Sequence, residues 1–143
     1  MANNPANEVR RATITRLKTD GAVTALQPSA QIYPQQAPTS PPWPYTYTGT
    51  PIVTPFRADC MDGATIRFAI HTYTKTGTGG DGESLANNIG KAIGASLDGL
   101  TMDLDTPYPS TADFTWISTQ VVRDPSEASV FHSICQMEAS VSA

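Results

Sequence analysis

The fold is decided by residues 65–99, which read TIRFAIHTYTKTGTGGDGESLANNIGKAIGASLDG. At the start of this stretch, the large apolar residues Ile66, Phe68 and Ile70 recur at every second position. A period of two is typical of a strand with one buried face. The sequence therefore predicts a strand here, with its polar side chains on the face away from the core.

A loop and a helix follow this strand. The loop, residues 75–82, is mostly glycine and threonine. Over residues 83–98 apolar side chains recur at offsets of three and four, which predicts a helix with one buried stripe. Gly99 stands where a glycine commonly ends a helix. The stretch therefore predicts a strand–loop–helix unit.

The predicted helix carries small residues on one side. Ala86, Gly90 and Gly94 lie four apart and form a shallow groove beside the apolar stripe. An interior glycine costs a helix about 1 kcal/mol relative to alanine, so close packing must offset this cost. Either the helix lies tightly on its own sheet, or the groove receives another subunit.

Composition limits the classes of function. The chain has 143 residues, the size of one domain, and a net charge of −4 with only 15% charged residues. An acidic chain without a basic run is a poor candidate for sequence-specific nucleic-acid binding. The polar N-terminus predicts no signal peptide, and no apolar run reaches the roughly 20 residues of a membrane span. Cys60 and Cys135 indicate reduced thiols in a cytosolic protein. The alternative is a single disulfide between them.

A first helix is predicted over residues 4–20, with one further turn at 22–26. Arg10, Arg11 and Lys18 lie outside its modest apolar stripe. Such a cluster is usually a solvated helix face. The alternative is a surface for an acidic partner.

Residues 27–44 are rich in proline and cannot form a helix or a central strand. We expect a strap that runs over the domain and is held by Ile32, Tyr33 and Trp43. The spacing of Pro38, Pro41 and Pro44 also matches a polyproline ligand, but no basic flank accompanies it.

The remaining chain predicts four more strands. Residues 51–63 are expected to be an irregular, exposed connection. The strands are predicted at residues 45–48, 100–104, 112–122 and 129–141. In the third of these, Phe114, Trp116 and Val122 are expected on one side. The order α-β-β-α-β-β-β predicts an α+β fold with a mostly antiparallel sheet covered by two helices, in which the last three strands are antiparallel neighbours.

The loop contains Gly77, Gly79, Gly80 and Gly82, which match the pattern G-x-G-x-x-G. In dinucleotide-binding folds these glycines bring the backbone against a pyrophosphate at a helix N-terminus. The preceding strand alternates, whereas a central parallel strand is apolar on both faces. No second β-α-β half follows. The other interpretation is a mobile loop that becomes ordered on assembly.

Catalytic and metal-binding patterns are weak. No G-x-S-x-G motif occurs, and His132 and Cys135, three apart on a predicted strand, point to opposite faces. The acidic pairs Asp59–Asp62 and Asp103–Asp105 are better explained as solvated turns than as cation ligands. We therefore predict no enzyme, no cofactor and no metal.

Together, these segments resemble the phage tail completion, or tail terminator, family of long-tailed phages, prophages and gene transfer agents. Tyr73 stands where that family usually has a tryptophan. The resemblance covers most of the chain as one domain over residues 1–143. It rests on Leu17 of the first helix and Leu26 of the turn after it, Gln31-Ile32-Tyr33, Pro44-Tyr45-Thr46-Tyr47, the strand at 65–73, the helix at 84–97 with Asp98-Gly99-Leu100, and Arg123-Asp124-Pro125.

The resemblance implies a structural virion protein without catalytic residues. Its subunits would form a ring, usually of six, that caps the tail tube and joins it to the head–tail connector. The implied partners are other copies of the chain, the tail tube protein and the connector or stopper protein, with DNA passing through the ring. Assembly would take place in the host cytoplasm, without a membrane. A head-side neck or stopper protein and, less favoured, a nucleotide-binding module are the alternatives.

Candidate interface residues follow from these patterns. They are Gly77, Gly79, Gly80 and Gly82 of the loop, Ala86, Gly90 and Gly94 of the groove, and Arg10, Arg11 and Lys18 of the first helix. Open sheet edges are templates for pairing with another chain, and either the strand at 45–48 or the strand at 129–141 is expected to be such an edge.

Overall fold

The computed structural model describes residues 4–58, 61–77, 80–104 and 110–142. Within them it contains three α-helices and seven strands. The helices are α1 (Ala6–Thr19), α2 (Gly21–Thr24) and α3 (Gly82–Leu97). The strands are β1 (Ile32–Tyr33), β2 (Tyr45–Thr48), β3 (Ile52–Ala58), β4 (Met61–Lys75), β5 (Thr101–Asp103), β6 (Thr111–Arg123) and β7 (Val130–Ser142).

All seven strands belong to one sheet, in the order β1-β2-β4-β7-β6-β5, and β3 also pairs with β4. Each pairing is antiparallel except that of β1 with β2. The α+β class is therefore confirmed. The prediction that the last three strands are antiparallel neighbours is also confirmed, because β6 pairs with both β5 and β7.

Of the two candidates for an open edge, the last strand is excluded. β7 lies between β4 and β6 and pairs with both along most of its length. Its burial alternates residue by residue, and Cys135, Met137 and Ala139 face the core. The predicted edge at residues 45–48 is partly covered as well, since β1 pairs with Thr46 and Tyr47.

The core lies between the sheet and the helices. The predicted alternation in β4 holds, because Ile66, Phe68 and Ile70 are all buried. The stripe of α3 packs on them through residues such as Ile89 and Ile93, and buried residues of α1 join the same cluster. One face of the sheet is thus covered by helices, as expected from the periodicity of each element.

The prediction of an irregular connection at 51–63 is also wrong. β3 forms there and pairs with β4, which begins at Met61 and not at Thr65. Two prolines in this segment argue against a strand, but an edge strand tolerates proline, because its outer side needs no N–H for the ladder. Pro55 lies in such a strand, with β4 as the partner on one side.

β6 contains an irregularity that the sequence pattern does not reveal. The register with β7 shifts between Trp116 and Ser118, so Ile117 is an extra residue in the ladder. One extra residue moves the following side chains to the other face. Val122 therefore lies opposite His132, on the outer face of the sheet, and the expectation that it shares a side with Phe114 is wrong.

Polar contacts hold the proline-rich segment against the sheet. The Thr48 hydroxyl of β2 donates to the carbonyl oxygen of Pro34, and within the segment the Gln31 side-chain amide donates to the carbonyl oxygen of Pro44. At the start of this segment, the buried Gln27 amide donates to the Thr46 hydroxyl of β2 at 2.6 Å. Ile32 is buried beside these contacts and contributes to the core.

Candidate functional site

The basic residues of α1 do not form one free patch. Arg10 donates from Nη2 to the carbonyl oxygen of Gly49 at 3.2 Å and so ties α1 to the connection between β2 and β3. Arg11 lies 3.5 Å from the Glu8 carboxylate on the same helix. Lys18 is exposed. The usual interpretation, a solvated face with some intrachain contacts, accounts for this arrangement, while a role toward an acidic partner stays a prediction.

The glycine loop closes on itself at its base. Gly77 and Gly80 have positive φ angles of 97° and 112°, a region that favours glycine. The Gly77 N–H donates to the Gly80 carbonyl oxygen at 2.9 Å. A Cβ at Gly82 would lie 2.8 Å from the Thr76 nitrogen, so glycine permits a close approach there. Gly79 lies outside the described residues, and ordering of the loop on assembly stays a prediction.

The N-terminus of α3 is already occupied by a carboxylate. Asp81 accepts hydrogen bonds from the N–H groups of Glu83 at 3.0 Å and Ser84 at 3.4 Å. These are the donors that a pyrophosphate would use, and a second negative group there would meet repulsion. β4, which leads into the loop, is antiparallel to β2, β3 and β7, whereas the dinucleotide site needs parallel strands. This geometry disfavours a nucleotide site.

We expect Asp81→Ala to lower the free energy of unfolding by about 1 kcal/mol, because the N-cap hydrogen bonds are lost. Asp81→Asn is the matched control, since asparagine caps helices about as well as aspartate. Chemical denaturation of both variants measures the difference. An equal loss in the two variants would mean that the carboxylate charge, and not the cap, stabilises this end of α3.

The small residues of α3 lie against the chain's own sheet. Ala86, Gly90 and Gly94 are buried. A Cβ at Gly90 would lie 2.7 Å from the Ser133 Oγ and 3.0 Å from the Thr119 Cγ2, whereas one at Gly94 would be 3.4 Å from the Trp116 ring. The glycines therefore let α3 approach β6 and β7 closely.

Beside this contact, an open groove remains. It has a volume of about 440 Å³ and is lined by residues between 87 and 98 and by Trp116 and Thr119 of β6. We call it the α3 groove. The Trp116 Nε1–H donates to the Thr119 hydroxyl at 2.8 Å, and the Trp116 backbone N–H donates to Asp98 Oδ1 at 2.9 Å. The wall of the groove is thus held in place by hydrogen bonds.

The outer face of the sheet carries a cluster that the sequence analysis missed. The rings of Tyr73 and His132 stack with centroids 4.2 Å apart, and Tyr45 stacks on Tyr73 at 5.3 Å. His71 Nδ1 and His132 Nε2 lie 2.8 Å apart, so one ring donates and the other accepts. Because these residues come from β2, β4 and β7, only the strand register, which the sequence does not state, could have revealed them.

Burial disfavours the charged form of both histidines. It lowers the pKa of His71. Burial, together with the nearby His71, lowers the pKa of His132 to about 4. It also raises the pKa of the hydroxyls of Tyr73 and Tyr45. Since a hydrogen bond between two imidazoles needs one acceptor nitrogen, protonation of both rings would break it.

We expect acid to destabilise the protein through this pair. The pKa of His132 is about 4 in the folded chain against an ordinary value of 6.5, so the unfolded chain binds the proton more tightly. The free energy of unfolding should therefore fall as the pH drops from about 6.5 to about 4. Urea titrations across this range measure the decrease, and His132→Gln should reduce it. An identical decrease in the variant would assign the effect to other groups.

The other sequence-derived sites do not come together. Cys135 is a free thiol buried on the core side, and burial raises its pKa, while His132 lies on the outer face. Cys60, Asp59 and Asp105 lie outside the described residues. Within the described part of the chain, no group of three or more His, Cys, Asp or Glu side chains could hold a metal ion.

Among the helices that the structure describes, none has both the length and the apolar character to span a bilayer.

Comparison with known proteins identifies the family to which the chain belongs. The model of the family described as tail completion protein gp17 matches residues 11–142. The chain belongs to this family. It is therefore a structural protein of the virion, and the resemblance found in the sequence is confirmed.

A solved structure supports the fold of this tail completion protein. A chain in the virion of a native gene transfer agent particle matches it with a TM-score of 0.80, and the match covers 99% of this chain and 100% of that chain. The two chains are 19% identical, so this likeness shows a shared fold. No curated protein sequence matches the chain.

Proposed function

We propose that this tail completion protein forms a ring that caps the tail tube and joins it to the head–tail connector. The observation that carries the proposal is the family match over residues 11–142, which extends from the first helix to the last strand. A closed ring of identical subunits has two different faces. One face would meet the last ring of tail tube protein, and the other the connector or stopper protein.

Charge is compatible with DNA passing through such a ring. The chain carries a net charge of −4. Phosphate contacts by lysine and arginine provide most non-specific DNA affinity, so an acidic lining would let DNA slide without binding. In this role, the protein acts through its surfaces, and no residue needs to perform chemistry.

A strain that lacks the gene tests the joining role. Electron microscopy of its particles should show separate heads and tails, with tubes of abnormal length, because neither end of the junction is completed. Expression of the wild-type chain from a plasmid should restore joined particles, and so should the control variant Asn88→Glu at an exposed position of α3. Normal, joined and infectious particles from the deletion strain would contradict the proposal.

A further inference from the structure

The large apolar side chains that stay exposed lie on opposite sides of the central strands β4 and β7. Within the described residues they are Ile52 (69% exposed) and Phe56 (51%) on β3, and Trp116 (46%) and Ile117 (44%) on β6. β3 lies outside β4, and β6 lies on the far side of β7. Surface patches of this kind mark interaction sites more often than scattered single residues do.

The patch on β3 consists of side chains that project from the sheet. Ile52 and Phe56 share one face of the strand, and Val53 between them packs against the core opposite Ile66. The side chains of Ile52 and Phe56 therefore point away from the helices. We call these two residues the β3 ridge.

The patch on β6 borders a concave surface. The indole of Trp116 lies over Gly94 on the helix side of the sheet and forms one wall of the α3 groove. Ala95, in the same lining, is exposed. The ridge and the groove differ in shape and lie on opposite sides of the central strands, so a head-to-tail contact can pair the ridge of one copy with the groove of the next.

We propose that the β3 ridge of one copy of this chain docks in the α3 groove of the next copy, and that this is the repeated contact of the ring. The inference rests on the ring proposed above and names its interface. A head-to-tail ring needs two unlike, complementary surfaces on opposite sides of each subunit. The exposed apolar residues of the described chain provide one such pair.

The strand register places the two patches at the same level along the strands. Ile52 is paired with Arg67, Arg67 with Glu138, and Glu138 with Thr115, the residue before Trp116. A copy that docks ridge to groove is therefore displaced mainly across the strands and little along them. Such a displacement is compatible with closure into a ring whose axis runs along the strands.

Charge and size are suitable for this contact. Arg67 and Glu138, beside the ridge, form an ion pair at 3.0 Å, and the groove is lined by one charge of each sign, Lys91 and Asp98. Among the side chains that the structure describes, docking therefore brings together two patches whose charges balance. Phenylalanine and tryptophan each bury about 150–250 Å², so Phe56 and Trp116 can form the centre of an interface of about 800 Å² per partner.

The proposal is tested with two variants, each of which destroys one half of the contact. Phe56→Glu changes the ridge, Ala95→Glu changes the groove, and Asn88→Glu on the same helix is the control outside both. Sedimentation velocity over a concentration series should show ring formation by the wild type and the control. Each test variant alone should associate at least about 30-fold more weakly than the wild type. This is the effect of losing one hot-spot residue.

Mixing the two test variants distinguishes this contact from others. One variant keeps an intact groove and the other an intact ridge, so the mixture should form heterodimers that grow no further. Rings formed by either variant at wild-type concentrations, or a mixture that stays monomeric, would overturn the ridge-to-groove contact.

A photo-cross-linker tests the contact in assembled particles. With benzoylphenylalanine in place of Phe56, irradiation should join residue 56 to residues 87–98 of another copy, which isotope-labelled subunits distinguish from a contact within one chain. Cross-links only to other virion proteins would overturn this interface and leave the ring intact. Absence of the protein from the particle would instead overturn the proposed function.

Discussion

Replacing Gly90 with leucine is expected to lower the free energy of unfolding by about 3 kcal/mol, at the upper end of the range for overpacked cores. Even a Cβ at this position would lie 2.7 Å from the Ser133 Oγ and 3.0 Å from the Thr119 Cγ2. A leucine must therefore push α3 away from β6 and β7. The midpoint of thermal unfolding should fall by roughly 10 °C.

Two other variants on α3 separate this effect from helix propensity. Asn88→Leu, at an exposed position, should leave the melting temperature almost unchanged. Gly94→Ala should be tolerated, because its Cβ would meet the Trp116 ring at an ordinary distance of 3.4 Å and alanine favours a helix by about 1 kcal/mol over glycine. If Gly90→Leu melts like Asn88→Leu, then α3 does not pack on the sheet as described.

Gly63→Ala adds only one methyl group, but it should also destabilise the protein strongly. An added Cβ would lie 2.5 Å from the carbonyl oxygen of Val141, and a backbone atom cannot rotate away as a side chain can. β4 and β7 must separate locally at this point, where Gly63 is paired with Ser142. We expect a loss of about 2 kcal/mol and a fall in the melting temperature of roughly 6 °C.

Gly21→Ala is the matched control for this substitution. Nothing lies within 4 Å of a Cβ at Gly21, so alanine there should be neutral or slightly stabilising, since it restricts the unfolded chain. Thermal unfolding followed by circular dichroism compares the two. A Gly63→Ala variant as stable as Gly21→Ala would show that the two central strands are not held this closely.

Local periodicity predicted the parts of the fold that depend on one element at a time. The burial of Ile66, Phe68 and Ile70, the stripe of α3 and the end of that helix before Gly99 all follow from spacing along the chain. The close approach of α3 to its own sheet was one of two interpretations of its glycines, and the contacts of Gly90 with β6 and β7 support it.

Features that depend on strand pairing could not be predicted in this way. Pro55 argues against a strand in the sequence. Only the pairing with β4 shows that β3 is an edge strand whose outer side needs no N–H donor. The extra residue Ile117 forms a bulge that moves Val122 to the outer face, and the sequence pattern does not show it. Likewise, His71 and His132 are 61 residues apart in sequence and meet through the register of β4 with β7. The β3 ridge depends on β3, so it too was missed.

A density map of the assembled particle would show directly whether this protein forms the ring. At the junction between the last ring of tail tube and the connector, we expect a closed ring of copies of this fold, with β3 of each copy beside α3 of the next. The seven-stranded sheet and the long β4 make the domain recognisable in such a map. A ring of this fold on the head side of the connector, or no copy at the junction, would rule out the proposed capping of the tail tube.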